Sequence, residues 1–238
     1  MKKILVIGAG KWGKIVIKKL QIIADVKHII NSKKNYKNID TKLIDWVFVL
    51  TPDKKHFAMV NFFLKKGINI FCEKPLTTSY KKSKQLIKIA KENKIKLYID
   101  DIENYKKIKI KIKKKNYIIR TKKDSGSIKS ILSRLTYHDM YFLYPIISRY
   151  KKLRIKIISS RNYLNFLLFN KRVYFNFFYS LKSNNKEHTI NNISLSNVKV
   201  DVLTKMLITV LYKKPNYKKN HEASLFASKM IENVKERL

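Results

Sequence analysis

Three glycines spaced Gly8-x-Gly10-x-x-Gly13 follow the apolar run at residues 4–7. In a turn from strand to helix, the first glycine permits the tight turn, the second lets backbone approach a diphosphate, and the third lets helix pack on strand. The N-terminus of the next helix offers unpaired N–H groups and partial positive charge to the anion. We therefore predict a dinucleotide-binding turn made by Gly8, Ala9, Gly10, Lys11, Trp12 and Gly13.

The end of the second predicted strand, residues 26–30, bears on the choice between NAD and NADP. An acidic residue there commonly binds the 2′-hydroxyl of the adenosine ribose. The chain instead reads Asn31-Ser32-Lys33-Lys34. A hydroxyl or amide followed by two lysines suits a 2′-phosphate, which favours NADP, with Asn31 and Ser32 as its contacts. The general lysine excess explains the two lysines nearly as well.

Predicted strands and helices alternate along the first hundred residues and position these side chains. Apolar runs predict further strands at 45–50, 68–72 and 95–99, and apolar spacing predicts helices at 14–20, 56–64 and 79–93. Ser79 is the predicted N-cap of the last helix, and Gly67 is predicted to end the helix before it. This alternation predicts an α/β fold with a doubly wound parallel sheet, and it places Thr51-Pro52 and Glu73-Lys74-Pro75 at strand ends.

From about residue 116 the sequence contains segments rich in residues that favour β-strands. Strands are predicted at 117–120, 155–159, 173–179 and 188–195, in a mostly antiparallel sheet. The alternating lysines and isoleucines of 105–115 fit either a two-faced strand or a frayed helix. We predict a Rossmann domain over 1–122 and a smaller α+β domain over 123–238, with an amphipathic helix at 222–238 that packs back on the first domain.

The chain has 238 residues and a formal net charge of +38. Such a chain attracts polyanions, but no DNA- or RNA-binding signature accompanies the charge, and A/T-rich codons would supply the same lysines. We therefore predict no specific nucleic-acid partner. No apolar run is long enough for a membrane span, and the single cysteine, Cys72, fits a reducing compartment, so the expected location is cytoplasmic.

The chain resembles the Gfo/Idh/MocA family, the glucose-fructose oxidoreductase and inositol dehydrogenase group. The matching pieces occur in the family's order at 8–14, at 45–52, at His56 and at 67–76. The resemblance implies a Rossmann domain, an α/β domain with an open sheet, and hydride transfer between NAD(P) and a sugar-like substrate. The Trp12-Gly13 pair is similar to members that act on nucleotide-linked sugars for surface polysaccharides.

The resemblance also implies roles for particular residues. Lys74 is the lysine that enters the site beside the nicotinamide, where an ammonium can stabilise alkoxide charge on the substrate. His138 matches a histidine that serves as general base or substrate ligand. The remaining cofactor contacts implied are Thr51, Pro52, His56, Glu73 and Pro75. No metal site is implied, and association of copies through the open sheet is left open.

The match departs from the family in the second domain. Arg134 stands four residues before His138 where the family has an aspartate, Thr136 replaces a usual glycine, and the domain is short. Asp139 is an alternative orienting carboxylate, although adjacent residues seldom point the same way. The main hypothesis is an NAD(P)-dependent oxidoreductase acting on a sugar or nucleotide sugar. The alternative is a non-catalytic dinucleotide-binding protein that acts through a partner.

Overall fold

A computed structural model describes residues 1–31, 35–160, 162–196 and 200–238, without the side chain of Lys129. Its contacts divide the chain into two compact units, residues 1–105 with 201–228 and residues 106–200 with 229–238. Within the described ranges, no helix combines the length and apolarity that a membrane span requires.

The first unit is a five-stranded parallel sheet in the order β2-β1-β3-β4-β5, as the alternating pattern predicted. Its strands are β1 (Lys3–Ile7), β2 (Asp25–Ile30), β3 (Trp46–Val49), β4 (Asn69–Cys72) and β5 (Leu97–Ile99). The helices between them are α1 (Lys11–Ile23), α2 (His56–Lys65) and α3 (Tyr80–Glu92). Short 3-10 turns occupy Tyr36–Asn38, Asp53–Lys55 and Ile102–Lys106.

The predicted helix ends of this unit are confirmed. The hydroxyl of Ser79 accepts a hydrogen bond from the amide of Lys82 at the start of α3. Gly67 follows the last turn of α2 with a φ of +76°, a conformation that glycine adopts at little cost. Both signals are local, which is why the sequence alone revealed them.

The second unit is a six-stranded sheet in the order β11-β10-β6-β9-β8-β7, antiparallel except where β6 runs parallel to β9. Its strands are β6 (Lys115–Lys123), β7 (Arg154–Ser159), β8 (Tyr163–Phe169), β9 (Tyr174–Ser180), β10 (Lys182–Ile190) and β11 (Ile193–Ser194). Between β6 and β7 lie α4 (Ile128–Ile131), a π-helical turn (Leu132–Thr136) and α5 (Tyr137–Ile147). The two last helices of the chain are α6 (Val202–Tyr212) and α7 (Tyr217–Lys235).

Two sequence expectations differ from the structure in this half of the chain. Residues 107–114 form neither the strand nor the helix that the alternating pattern suggested, because they make no ladder before β6 begins at Lys115. Strand β6 belongs to the second unit, although the sequence placed residues up to 122 in the first domain, since β6 pairs with β9 and β10.

Helix α6, which the sequence did not predict, completes the core of the first unit. Its buried side chains Leu203, Met206 and Leu207 join the cluster formed by α1 and the sheet. On the sheet side of that cluster the rings of Phe48 and Phe71 stack with centroids 4.7 Å apart. Burial of apolar area of this kind is the main stabilising contribution to a domain.

Helix α7 supplies hydrogen-bond partners to the edge strand β5. The side chain of Asn220 accepts from the amide of Ile99 at 3.0 Å and donates to its carbonyl at 2.8 Å. The Nε2 of His221 contacts the carbonyl of Leu97 at 2.7 Å, which fits the tautomer that donates from Nε2. An edge strand whose polar groups are paired in this way is closed to other chains.

We expect His221 to make stability fall in mild acid. Burial lowers the pKa of His221, so the native state favours the neutral ring, whereas the unfolded chain takes up a proton below its ordinary pKa of about 6.5. The contribution of the neutral His221 ring to the free energy of unfolding is therefore present above that pH and lost as the pH falls below it. Chemical unfolding followed from pH 7.5 to 5 should show a flatter decline for His221→Gln, whose amide can still donate to Leu97. An unchanged pH dependence would exclude this role.

Candidate functional site

The glycine turn connects β1 to α1 with geometry that only glycine allows at two positions. Gly8 has a φ of +108°, and a Cβ there would lie 2.5 Å from the carbonyl oxygen of Leu50. A Cβ on Gly13 would lie 2.2 Å from the carbonyl oxygen of Gly8. Gly8 therefore permits the turn against the neighbouring strand end, and Gly13 permits the close packing of helix on strand, as predicted.

Gly10 has the opposite surroundings, since no atom lies within 4 Å of the position its Cβ would take. It is the N-cap of α1, no side chain caps the helix, and the first turn carries no acidic residue. The amides of this turn and the open space beside Gly10 fit a diphosphate. Trp12 adds a buried indole Nε1 that has no hydrogen-bond partner in the structure, while Ala9 is half-buried and Lys11 is exposed.

His56 joins two of the loops at this edge of the sheet. Its ring is fully buried, with Nδ1 2.8 Å from the carbonyl oxygen of Pro75 and Nε2 2.7 Å from that of Thr51. Burial lowers the pKa of His56. Because both ring nitrogens face backbone oxygens, His56 is placed to hold Thr51-Pro52 against Lys74-Pro75, whose peptide bond is cis.

Glu73 and Asp100 occupy equivalent places just beyond β4 and β5. Cys72 is the register partner of Ile99, so the next residues of both strands are neighbours. The amide of Glu73 donates to the carbonyl of Val49, and that of Asp100 to the carbonyl of Cys72, both at 2.9 Å. The ladder thus runs one residue past the strands and fixes the two carboxyl groups side by side.

The two carboxyl groups interact next to Lys74, and both have raised pKa values. Burial, and then the charge of Asp100, raises the pKa of Glu73 well above its ordinary value, while Lys74 opposes that rise. Burial also raises the pKa of Asp100, which accepts hydrogen bonds from Glu73 and from the amide of Ile102 at 3.0 Å. The buried pair therefore holds a proton to higher pH than two separate carboxyl groups would. Sequence reasoning missed Asp100, because no local motif marks it.

His138 lies in the second unit as the second residue of α5, and it is half-buried. Its neighbour Asp139 is fully buried and turns to the sheet, where its Oδ1 accepts from Nε2 of His188 at 2.8 Å and from the guanidinium of Arg120 at 3.2 Å. Burial alone would raise the pKa of Asp139, but His188 and Arg120 outweigh it and lower that pKa. The carboxylate of Asp139 thus links α5 to strands β6 and β10 of the second sheet. His188 and Arg120 are register partners on β10 and β6 that the sequence did not single out.

Arg134, in the place of the family's aspartate, is bound within its own unit. Its guanidinium pairs with the carboxylate of Asp124 and donates to the carbonyl of Ser125 at 2.9 Å. Asp124 also pairs with Lys122 at 2.7 Å, and the hydrogen bond from Lys122 lowers the pKa of Asp124 to about 2.

Of the remaining predicted contacts, Asn31 is exposed after β2, whereas Ser32, Lys33 and Lys34 lie outside the described residues. The described residues contain no group of three side chains that could hold a metal ion.

The first unit matches a known family. Residues 2–100 match the Gfo/Idh/MocA oxidoreductase family, NAD-binding Rossmann fold. Over these residues, which are less than half of the chain, the sequence is similar to the Gfo/Idh/MocA family. The description of this family names an NAD-binding fold, which supports the nicotinamide dinucleotide predicted from the sequence. The glycine turn described above fits such a cofactor.

Two curated relatives match parts of the chain. The uncharacterized oxidoreductase YgjR of Escherichia coli is 33% identical over 73 residues, which are 31% of this chain and 22% of the relative. An uncharacterized oxidoreductase of Streptococcus pneumoniae is 34% identical over 62 residues, or 26% of this chain and 17% of the relative. Both matches thus cover less than a quarter of the relatives.

Solved structures extend the similarity of fold to both units. UDP-N-acetylglucosamine 3-dehydrogenase GnnA from Acidithiobacillus ferrooxidans aligns with a TM-score of 0.83 at 15% identity, covering 99% of this chain and 97% of that one. The WlbA dehydrogenase from Thermus thermophilus, in complex with NAD and α-ketoglutarate, aligns with a TM-score of 0.77 at 12% identity, covering 97% and 95%. The predicted fold, a Rossmann sheet followed by a mostly antiparallel sheet, is confirmed.

Proposed function

We propose that this protein is an NAD(P)-dependent oxidoreductase that transfers a hydride to or from a hydroxyl or keto group of a sugar or nucleotide sugar. The observation that carries the proposal is the shared edge of the first sheet, where the open glycine turn and the Glu73-Lys74-Pro75 segment follow strands of one sheet. Ligands of such sheets bind at the carboxyl ends of the strands. The name of GnnA, and a second structure of WlbA in complex with NAD and UDP-GlcNAcA, support a nucleotide-sugar substrate.

Within this proposal Lys74 is the catalytic residue of the first unit. The nicotinamide ring, when bound, supplies the hydride acceptor or donor. The ammonium of Lys74 donates a hydrogen bond to the substrate oxygen and stabilises negative charge that develops on it. Negative charge on the pair of Asp100 and Glu73 lies beside Lys74 and attracts its ammonium group. Asp100 is therefore a positioning residue.

His138 is the proposed proton acceptor of the second unit. Imidazole takes up a proton near neutral pH, so it can receive the hydroxyl proton of a substrate as hydride leaves. Asp139 is not available to orient it, since its carboxylate binds His188 and Arg120. Loss of the family's aspartate at position 134 favours a second candidate, the dinucleotide-binding protein that acts through a partner.

Cofactor binding is the first test of the proposal. NADPH and NADH are titrated into the protein in moderate salt while the fluorescence of Trp12 and Trp46 is followed. We expect saturable binding that is lost in Gly10→Asp, because the carboxylate would occupy the open space at the turn and repel the diphosphate. Folding of the variant is checked by circular dichroism. Absence of binding by the wild-type protein would reject the proposal.

The same titration tests the preference for NADP, which we propose from the residues that follow β2. Binding would then justify a screen of sugar nucleotides, including those of surface polysaccharide synthesis. Turnover of any of them would reject the non-catalytic candidate, whereas cofactor binding without turnover would favour it. We also propose a cytoplasmic location and association of copies of the chain.

Replacement of Asp100 by asparagine is expected to lower kcat about tenfold and to leave cofactor affinity within about twofold. The amide can still accept from Glu73 and Ile102, but it carries no charge beside Lys74. The charged or titratable groups that act on this place are Glu73, Lys74 and Glu103. With the negative charge removed, the alkaline limb of the pH–rate profile should move to lower pH. A merely structural role would lower activity without moving that limb.

A further inference from the structure

A cavity of 610 Å³ lies at one end of the second sheet, beside the edge strand β7. Five cationic side chains line it: Lys151, Lys152, Arg154, Lys171 and Arg172. The rest of its lining is Phe169, Asn170 and Tyr174, so none of the described residues around it is acidic. We call it the basic cavity. All of these residues belong to the second unit.

The turns that carry the cations are fixed to each other by Asn170. Its side-chain oxygen accepts from the amides of Arg172 at 2.8 Å and Val173 at 3.1 Å. Its side-chain nitrogen donates to the carbonyl of Lys151 at 3.0 Å, which lies on the other turn. The backbone of the two turns is thus held together before any ligand binds, and this limits the conformational cost of binding.

None of the acidic residues between residues 106 and 200 lines the basic cavity. Between residues 106 and 200 they are Asp124, Asp139 and Glu187. The first two are bound in the ion pairs described above, and Glu187 accepts from the hydroxyl of Thr189 at 2.8 Å. The lining of the basic cavity therefore supplies no negative charge of its own to balance the five cations.

We propose that the basic cavity binds ligands that carry linked phosphate groups. Adjacent phosphates present several acceptor oxygens at once, which suits four cations on two turns and Arg154 at the start of β7. Arginine can bind such oxygens through two N–H groups. The volume lies in the range of small-ligand sites. This site is distinct from the glycine turn, which belongs to the first unit, and it does not depend on the proposed function.

Aromatic side chains adjoin the cations. Arg154 is the register partner of Phe169, Phe169 of Tyr174, and Tyr174 of Lys115, so the four residues form a row across four strands. The rings of Phe169 and Tyr174 stack with centroids 5.5 Å apart, and Tyr174 is 39% exposed. A base attached to the bound phosphates could contact the exposed part of Tyr174. Linked phosphates of this kind occur in free nucleotides and in single-stranded nucleic acid.

The test is calorimetric titration of the full chain with inorganic pyrophosphate at about 0.15 M salt, where long-range attraction is screened. We expect Lys152→Gln/Arg172→Gln to weaken binding about tenfold or more. The matched control, Lys81→Gln/Lys84→Gln, removes the same charge from the exposed side of α3 and should change affinity less than about twofold. In Gly10→Asp, which removes the diphosphate site at the glycine turn, the pyrophosphate binding that depends on Lys152 and Arg172 should persist with unchanged affinity.

The proposal is overturned if pyrophosphate does not bind, if both double variants weaken binding equally, or if Gly10→Asp abolishes it. A second titration with an oligothymidylate of about ten nucleotides distinguishes the sources. Tighter binding of this strand, reduced by Tyr174→Ser while pyrophosphate binding is not, would identify single-stranded nucleic acid. Equal or weaker binding of the strand would identify a free nucleotide or diphosphate. Either result supports a phosphate site in the basic cavity.

Discussion

Replacement of Lys74 by alanine is expected to lower kcat by about a thousandfold and to leave the Kd of the nicotinamide cofactor within about twofold. The ammonium is proposed to act on the substrate oxygen, where charge develops only during hydride transfer. Its loss therefore raises the barrier without removing a contact to the dinucleotide. Steady-state kinetics on a substrate from the sugar-nucleotide screen, together with cofactor titration, measure the two effects separately.

A matched control for Lys74→Ala is Lys65→Ala, which removes the same charge from an exposed position at the end of α2. It should retain wild-type kcat. Lys74→Arg keeps the charge but changes the geometry of donation, so we expect partial activity. A fully active Lys74→Ala would remove Lys74 from the mechanism. An inactive Lys65→Ala would mean that activity falls with the loss of any lysine charge of the first unit, and not with the loss of Lys74 in particular.

The parts of the fold that the sequence predicted are those coded locally. The glycine turn, the N-cap at Ser79 and the helix end at Gly67 each depend on a few adjacent residues, and the structure confirms them. The alternation of strands and helices was equally readable, since apolar runs and apolar spacing differ in period. Local physical chemistry was therefore sufficient for the first sheet and for the glycine turn.

The parts that the sequence did not reveal depend on register and on distant packing. Asp100 gains its place only because β5 lies beside β4, and the pairing of His188 with Arg120 requires that β10 lie beside β6. Helix α6 is apolar on the side that covers α1, a neighbour separated from it by about the whole chain. Residues 107–114 have the alternation of a strand but no partner strand. The spacing of apolar residues along the chain does not show which strands or helices become neighbours.

Replacement of Gly8 by alanine is expected to weaken cofactor binding and to destabilise the first unit, because it displaces the turn from the end of β3. The new Cβ would lie 2.5 Å from the carbonyl oxygen of Leu50, in a conformation with a φ of +108° that alanine rarely adopts. Strain of this kind costs on the order of 3 kcal/mol, a large part of the stability of a domain. The melting temperature, followed by circular dichroism, should fall by several degrees.

Gly10→Ala separates folding from binding at the same turn. Gly10 has a φ of −69° and open space where the Cβ would lie, so its melting temperature should stay close to that of the wild type. Its affinity for NADH or NADPH should nevertheless fall about tenfold or more, because the methyl group would occupy the space through which the diphosphate approaches the backbone. Wild-type affinity in Gly10→Ala would mean that the dinucleotide does not bind against this turn. Wild-type stability in Gly8→Ala would mean that β1 and the end of β3 are not packed as the structure has them.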